Sequence, residues 1–337
     1  MKKIVFSIYL SLSAILVTAQ QIKILTEGTK VSIRGLSVVN NNIIWASGSN
    51  GLVIKTTDGG NHFTYLKVKG YEQRDFRDIK AFDSNTAIIM AVAEPAIILK
   101  TKDGGNKWYK VFEDTTKGMF LDAMDFNEKN GIVIGDPINN YVFKAITYDN
   151  GESWKTIKNT TLLHQGEAFF AASGSNICLF NLHHKKYYPI YVSGGKKSRL
   201  FFDEIIDSLP IIQGTETTGA NSISVNMAIK KAVVVGGDFA NDRDTTNNCV
   251  LIDFNNGITF SKPKISPHGY RSCVLYINQK TIIACGTSGV DISYDGGIIW
   301  QLISSASFHV VQKSAKINSV YLAGNNGRIA KIIFEKN

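Results

Sequence analysis

Thr56-Thr57-Asp58-Gly59-Gly60-Asn61-His62-Phe63 is the stretch on which the fold turns. It recurs without gaps as Thr101-Lys102-Asp103-Gly104-Gly105-Asn106-Lys107-Trp108, as Thr147-Tyr148-Asp149-Asn150-Gly151-Glu152-Ser153-Trp154, and as Ser293-Tyr294-Asp295-Gly296-Gly297-Ile298-Ile299-Trp300. The shared pattern is Ser or Thr, any residue, Asp, any residue, Gly, two further residues, then Trp or Phe. A worn copy runs from Asp253 to Phe260. The first three copies stand about 45 residues apart, and a repeat of that length marks a chain built from stacked supersecondary units. In each copy the Asp carboxylate can accept backbone N–H groups and close a tight turn. The Gly takes a backbone conformation that side chains resist, and the aromatic folds the turn onto the core. Asp58, Asp103, Asp149 and Asp295 are therefore expected to be structural.

Short apolar runs precede every copy: Ile43 to Ala46 and Leu52 to Ile54, Ala87 to Val92 and Ala96 to Leu99, Ile132 to Ile134 and Tyr141 to Phe143. They are continuous rather than alternating, as in sheets buried on both faces. Seven units can be counted, with first strands beginning near Arg34, Phe76, Phe120, Glu167, Ser222, Arg271 and Phe308. The spacing predicts an all-β chain, a seven-bladed β-propeller over residues 20–337. The last unit has only three strands of its own. The spare strand at Ile22 to Leu25 is expected to complete it and close the ring, which removes open sheet edges. Unit four is the least regular. Tyr187 to Val192 and Ser198 to Phe202 serve as its second and third strands, and Ile177 to Phe180 competes with them.

Residues 1–19 read as a secretory signal peptide: Lys2 and Lys3, an apolar run from Ile4 to Val17, and a small-residue site ending at Ala19. The run is shorter than the roughly 20 residues of a spanning helix. The protein is thus expected to be exported, periplasmic or secreted, with no membrane segment after cleavage. The formal charge of +9 comes from scattered lysine pairs rather than a basic tract, which excludes nucleic acid as the expected partner. Cys178, Cys249, Cys273 and Cys285 show no CxxC spacing. A Cys273–Cys285 disulfide is left open. His183-His184 reads as a surface loop, Asp238 to Asp244 as a flexible one. No metal site, nucleotide motif or cofactor is expected.

The four boxes resemble the Asp-boxes of bacterial neuraminidase repeats. Their paired glycines and period resemble, more specifically, the plant photosystem II stability and assembly factor-like propellers. That resemblance spans nearly the whole chain after residue 19. It implies a seven-bladed ring and a turn on the outer rim, remote from any site. It is nearly silent on chemistry, because fold does not carry function.

Function has to be sought at one end of the channel, where loops entering first strands meet loops joining second to third strands. There the repeat places Arg34, Arg77 and Arg271 at the starts of first strands and Arg199 after a glycine loop. Asp78, Asp122 and Glu167 lie near first strands, and Glu94, Asp136 and Asp238 fall in second-to-third loops. Tyr270 adds a phenol. Arg34, Arg77, Asp122, Asp136, Glu167, Arg199, Asp238 and Arg271 are the candidate ligand-binding residues. The expected function is a non-enzymatic, monomeric binding or assembly propeller whose mouth takes a protein or an anionic or carbohydrate ligand, through arginine clamps. The alternative is a glycoside hydrolase of sialidase-like fold using two mouth carboxylates.

Overall fold

The computed structural model describes residues 20–158, 161–183, 186–314 and 319–334. The expected signal peptide lies outside them, as do His184 and Lys185. Seven antiparallel sheets are arranged as a seven-bladed β-propeller. Blades one, two, three and six each run inside to outside in chain order. Blade one is Ile33–Val38, Ile44–Gly48, Leu52–Thr56 and Thr64–Lys67, and blade two runs from Phe76–Ala81 to Tyr109–Asp114. First strands of successive blades touch around the ring, and the first strand of blade seven, Val310–Lys313, returns to that of blade one.

Closure is as the spare strand required. Gln21–Thr26 pairs antiparallel with Ile329–Ile333, Gln21 opposite Ile333 and Ile24 opposite Ala330, as the outermost strand of blade seven. Blade four departs from expectation. Its first strand is Ile177–His183, followed by Lys186–Val192, Arg199–Phe202 and Ile205–Ser208. Glu167–Ala168 is instead a short strand that pairs with Gly194–Gly195 and joins the sheet of blade five.

Each first strand exposes one edge to the channel, where its N–H groups have no ladder partner. An unmet buried donor costs about 1–3 kcal/mol, and the neighbouring blade supplies the acceptor. Ser37 Oγ accepts from the N–H of Ala81, Asp78 Oδ2 from Met124 at 2.8 Å, and Asp125 Oδ2 from Leu179 at 2.7 Å. Ser222 and Ser224 do the same for Val274 and Tyr276. Asp78 is therefore a stitch between blades two and three, not a mouth acid. Burial pushes its carboxyl up to about 8 against the N–H groups of Met124 and Ile79.

The four boxes form one repeated turn. Thr101 Oγ1 donates to Asp103 Oδ1 and accepts from the N–H of Gly105, while Asp103 Oδ1 accepts from the N–H of Lys107. The same three bonds recur at 56–62, 147–153 and 293–299. Gly151 has φ +72°, and a Cβ there would meet Ile88 of the preceding blade at 2.2 Å. Each box also bonds the turn between first and second strands, as Gly104 N–H does to Asn85 O. The boxes thus crown the end of the ring opposite the mouth.

Cys273 lies directly opposite Cys285 on the first two strands of blade six, and both thiols are free.

Candidate functional site

A β-bulge recurs at the mouth end of the first strand. The register skips Arg34 between Ile33 and Gly35, Arg77 between Phe76 and Asp78, Asp122 between Leu121 and Ala123, and Asn221 between Ala220 and Ser222. In blade six the N–H of Ser272 bonds Cys285 O, the carbonyl already opposite Cys273, and in blade seven the N–H of His309 bonds Ala323 O, the residue opposite Val310. A bulged residue is left out of the ladder and its side chain is re-aimed. In blades one, three, five and six the facing second strand carries a glycine that makes room. A Cβ on Gly135 would sit 2.4 Å from Phe120 O, and one on Gly286 would sit 2.1 Å from Tyr270 O.

These bulges build a recess of about 480 Å³, lined by Arg34, Arg77, Asn221, Ser272 and His309 together with Asp136 and Thr287. Aromatic side chains form most of the remaining wall, Phe120, Phe169, Phe170, Phe239 and Tyr270, with three alanines between. Phe239 stands edge-on to both Phe170 and Tyr270, at 5.9 and 6.3 Å between ring centres. It comes from the loop after the second strand of blade five and is 46 % exposed.

The recess is under-neutralised on one side. Arg34 donates to Ala172 O at 3.2 Å, and burial and then the nearby Arg77 lower its pKa. Arg77 sits 3.7 Å from Asp75, lies over the Phe120 ring, and its buried Nε has no acceptor. On the same lining, burial raises the Asp136 carboxyl to about 6, although its Oδ1 accepts from the N–H of Phe169. Asp122 is fully buried. Burial and then Asp136 push its pKa far up, against Arg77 and the N–H groups of Asp136 and Ala171. Those N–H groups are near enough to favour the anion but are not in hydrogen-bonding geometry, and neither oxygen of Asp122 has a bonded partner. His309 donates through Nε2–H to Asn325 Oδ1 at 2.9 Å, and burial and Arg34 bring it down to about 4, so it is neutral. The arrangement can hold a group that brings negative charge to the guanidinium side and apolar surface to the rings.

Four candidates lie elsewhere. Arg271 is one residue out of step with Arg34 and Arg77. It occupies the position of Ile33 and Phe76, which face the packing between blades. A one-residue offset reverses the face of a strand, and Arg271 is accordingly fully buried. Its Nε donates to Asp291 Oδ2 at 2.7 Å, and its remaining N–H groups reach Tyr270 O, Ser288 Oγ and His268 O. Glu167 and Arg199 neutralise each other through two 2.8 Å bonds, with Ser193 and the His164 N–H on the same carboxylate. Asp238 caps its own turn at the N–H of Ala240. So Arg34, Arg77 and Asp136 share the recess with Asp122 buried behind them, while Arg271, Glu167, Arg199 and Asp238 serve the scaffold. The aromatic wall was missed, Tyr270 apart, because Phe120, Phe169, Phe170 and Phe239 stand on connections outside the strands of the repeat.

Among the described residues no three His, Cys, Asp or Glu side chains could hold a metal ion, and no helix is long and apolar enough to cross a membrane.

The family model for the photosynthesis system II assembly factor YCF48 matches residues 16–117, which include the first two blades and two of the boxes. Among solved structures, "YCF48 bound to D1 peptide" is similar at 15 % identity and a TM-score of 0.63, covering 94 % of this chain and 97 % of that one. YCF48 from Cyanidioschyzon merolae is similar at 16 % identity and a TM-score of 0.60, covering 93 % and 98 %. No curated protein matches in sequence. The resemblance carried by the boxes is thus met both in sequence over those residues and in fold over nearly the whole chain.

Proposed function

We propose that this chain, a propeller resembling the YCF48 assembly factors in repeat and in fold, is an exported binding or assembly scaffold that engages a protein partner at its channel mouth. One observation carries the reading. The bulge places Arg34 and Arg77 together in a recess walled by phenylalanines, with Arg34 bonded to a backbone carbonyl, Arg77 at 3.7 Å from Asp75 and the buried Nε of Arg77 without an acceptor. Like charges are brought together at a cost, and an anionic group on a partner offsets it through charged hydrogen bonds of about 1.5–3 kcal/mol each. The YCF48 structure bound to D1 peptide supports the protein-binding part, since a propeller of the same architecture takes a peptide. That likeness is one of fold and does not carry the D1 peptide over to this chain. Export rests on residues 1–19 alone, and N-terminal sequencing of protein from the envelope fraction should begin at Gln20. Capture of partners from an envelope extract by the wild type, and their loss with Arg34→Ala and Arg77→Ala, tests the site.

A second reading has one observation of its own. Asp136, raised by burial to about 6, lines the same recess as the two arginines, and a carboxyl so tuned suits acid–base work near neutral pH. A glycoside hydrolase is the activity this would serve. Turnover of aryl glycosides, sialosides included, that Asp136→Asn abolishes would establish it in place of the scaffold.

A further inference from the structure

Both signs of charge line the mouth recess. Arg34, Arg77 and Asp136 all line it, Asp75 is 3.7 Å from Arg77, and His309 and Asp122 near Arg77 are held neutral. Tyr270 keeps its proton, because burial raises its pKa and its hydroxyl donates to Asn221 Oδ1 at 2.8 Å. A simple anion entering here gains the guanidinium groups but faces Asp136. A simple cation gains Asp136 but faces two guanidinium groups. A zwitterion meets each with its opposite and leaves the net charge of the recess unchanged.

The unpartnered atoms point the same way. A buried donor on the wall, Arg77 Nε, is without an acceptor, and the neutral carboxyl of Asp122, buried behind the lining, has one donor and one acceptor oxygen with no bonded partner. Thr287 Oγ1, on the wall, is also without a partner. Buried polar atoms in native proteins nearly always have partners, and each exception asks for an explanation. A ligand with both an acceptor end and a donor end would supply partners of both kinds. The aromatic wall at Phe170, Phe239 and Tyr270 adds an apolar surface beside the charged pair, and the recess is within the size range of small-molecule sites.

Resting on the same reading of the mouth as the binding face, we infer that the recess binds a small zwitterion with an apolar side chain, an α-amino acid or dipeptide. Its carboxylate lies between Arg34 and Arg77, its ammonium group at Asp136, and its side chain against Phe170, Phe239 and Tyr270. Phe239, on an exposed loop, sets the preference for aromatic or large aliphatic side chains.

Isothermal titration of the purified protein tests this with L-phenylalanine, L-leucine, glycine, phenylalanylphenylalanine, N-acetyl-phenylalanine and phenylalanine amide. Saturable binding of phenylalanine or of the dipeptide is expected, and which of the two is tighter identifies the source. Blocking either the amine or the carboxylate should weaken binding at least tenfold. Arg77→Ala and Asp136→Asn should each do the same, and Phe239→Ala should narrow the gap between phenylalanine and glycine. N-acetyl-phenylalanine binding as tightly as phenylalanine would show a plain anion site and overturn the inference. So would zwitterion binding that Arg77→Ala leaves intact. If no compound binds at millimolar concentration while Arg77→Ala still abolishes partner capture, the zwitterion site is refuted and the scaffold function stands.

Discussion

Arg271→Ala and Arg77→Ala should behave as opposites, although the two arginines sit one register step apart in the repeat. Arg271 and Asp291 are both wholly buried, joined through Arg271 Nε and Nη2 at 2.7 and 2.5 Å. Truncating Arg271 strands the Asp291 carboxylate in the core, with His268 as its remaining partner. Breaking a buried pair from one side costs about 3–5 kcal/mol. For a chain of this length the unfolding entropy makes that a fall in Tm on the order of 6 °C. Arg77 is half-exposed, 3.7 Å from a solvent-facing Asp75, and contributes a loose ring contact besides. A pair of that kind is worth about 1 kcal/mol or less, so Arg77→Ala should melt within about 2 °C of the parent. Differential scanning calorimetry reads both, and partner capture is measured on the same samples. Arg271→Ala is expected to lose stability and to bind in proportion to its folded fraction. Arg77→Ala is expected to fold normally and lose binding. Equal loss of stability in the two variants would refute the assignment of faces by the bulge.

Other consequences follow from single residues. His309 is neutral when folded and titrates near 4 against an ordinary 6.5; the unfolded chain binds its proton first, so stability is full above pH 6.5 and falls as pH drops toward 4. That difference amounts to about 3 kcal/mol, and His309→Gln should flatten this part of the stability–pH curve from chemical denaturation relative to the parent; parallel curves would count against it. Thr101→Val removes the acceptor of the Gly105 N–H and the donor to Asp103. It should cost about 1–3 kcal/mol by urea titration without changing partner capture, since the boxes lie at the far end of the ring. Deleting residues 20–26 uncovers Ile329–Ile333 as a free edge and should cause aggregation visible by light scattering; a deletion variant as monomeric and stable as the parent would remove the argument for closure.

The repeat made the architecture legible because a blade cannot bury its sheet alone, so the period of the boxes dictates how sheets stack. The box at 58–63 and its relatives fixed three of the four strands in most blades. Blade four carries no box, and without that marker Glu167 looked like a strand start when Ile177–His183 is the strand. The mouth was half legible. Position within the repeat put Arg34, Arg77 and Asp136 at the end of the channel where the recess lies, and Asp122 behind it, but treated Arg271 as equivalent to Arg34. The two differ by one residue, and at a bulge one residue decides between channel and core. The clue lay in the following strand, where Gly48, Gly135, Gly236 and Gly286 each leave room opposite the residue before the bulge. Phe170 and Phe239 gave no signal at all, because they stand on irregular connections outside the repeat.

Site-specific photocrosslinking tests the central claim most directly. A benzophenone side chain in place of Phe239 sits on the rim of the recess, and the same group in place of Tyr148, 63 % exposed within a box, sits at the opposite end of the ring. Irradiation in whole cells, followed by mass spectrometry of the adducts, compares the two ends under identical conditions. The account predicts a defined protein adduct from position 239 that Arg34→Ala or Arg77→Ala eliminates, and only diffuse background from position 148. A defined adduct from position 148 alone, or one from 239 that survives both arginine substitutions, would contradict it.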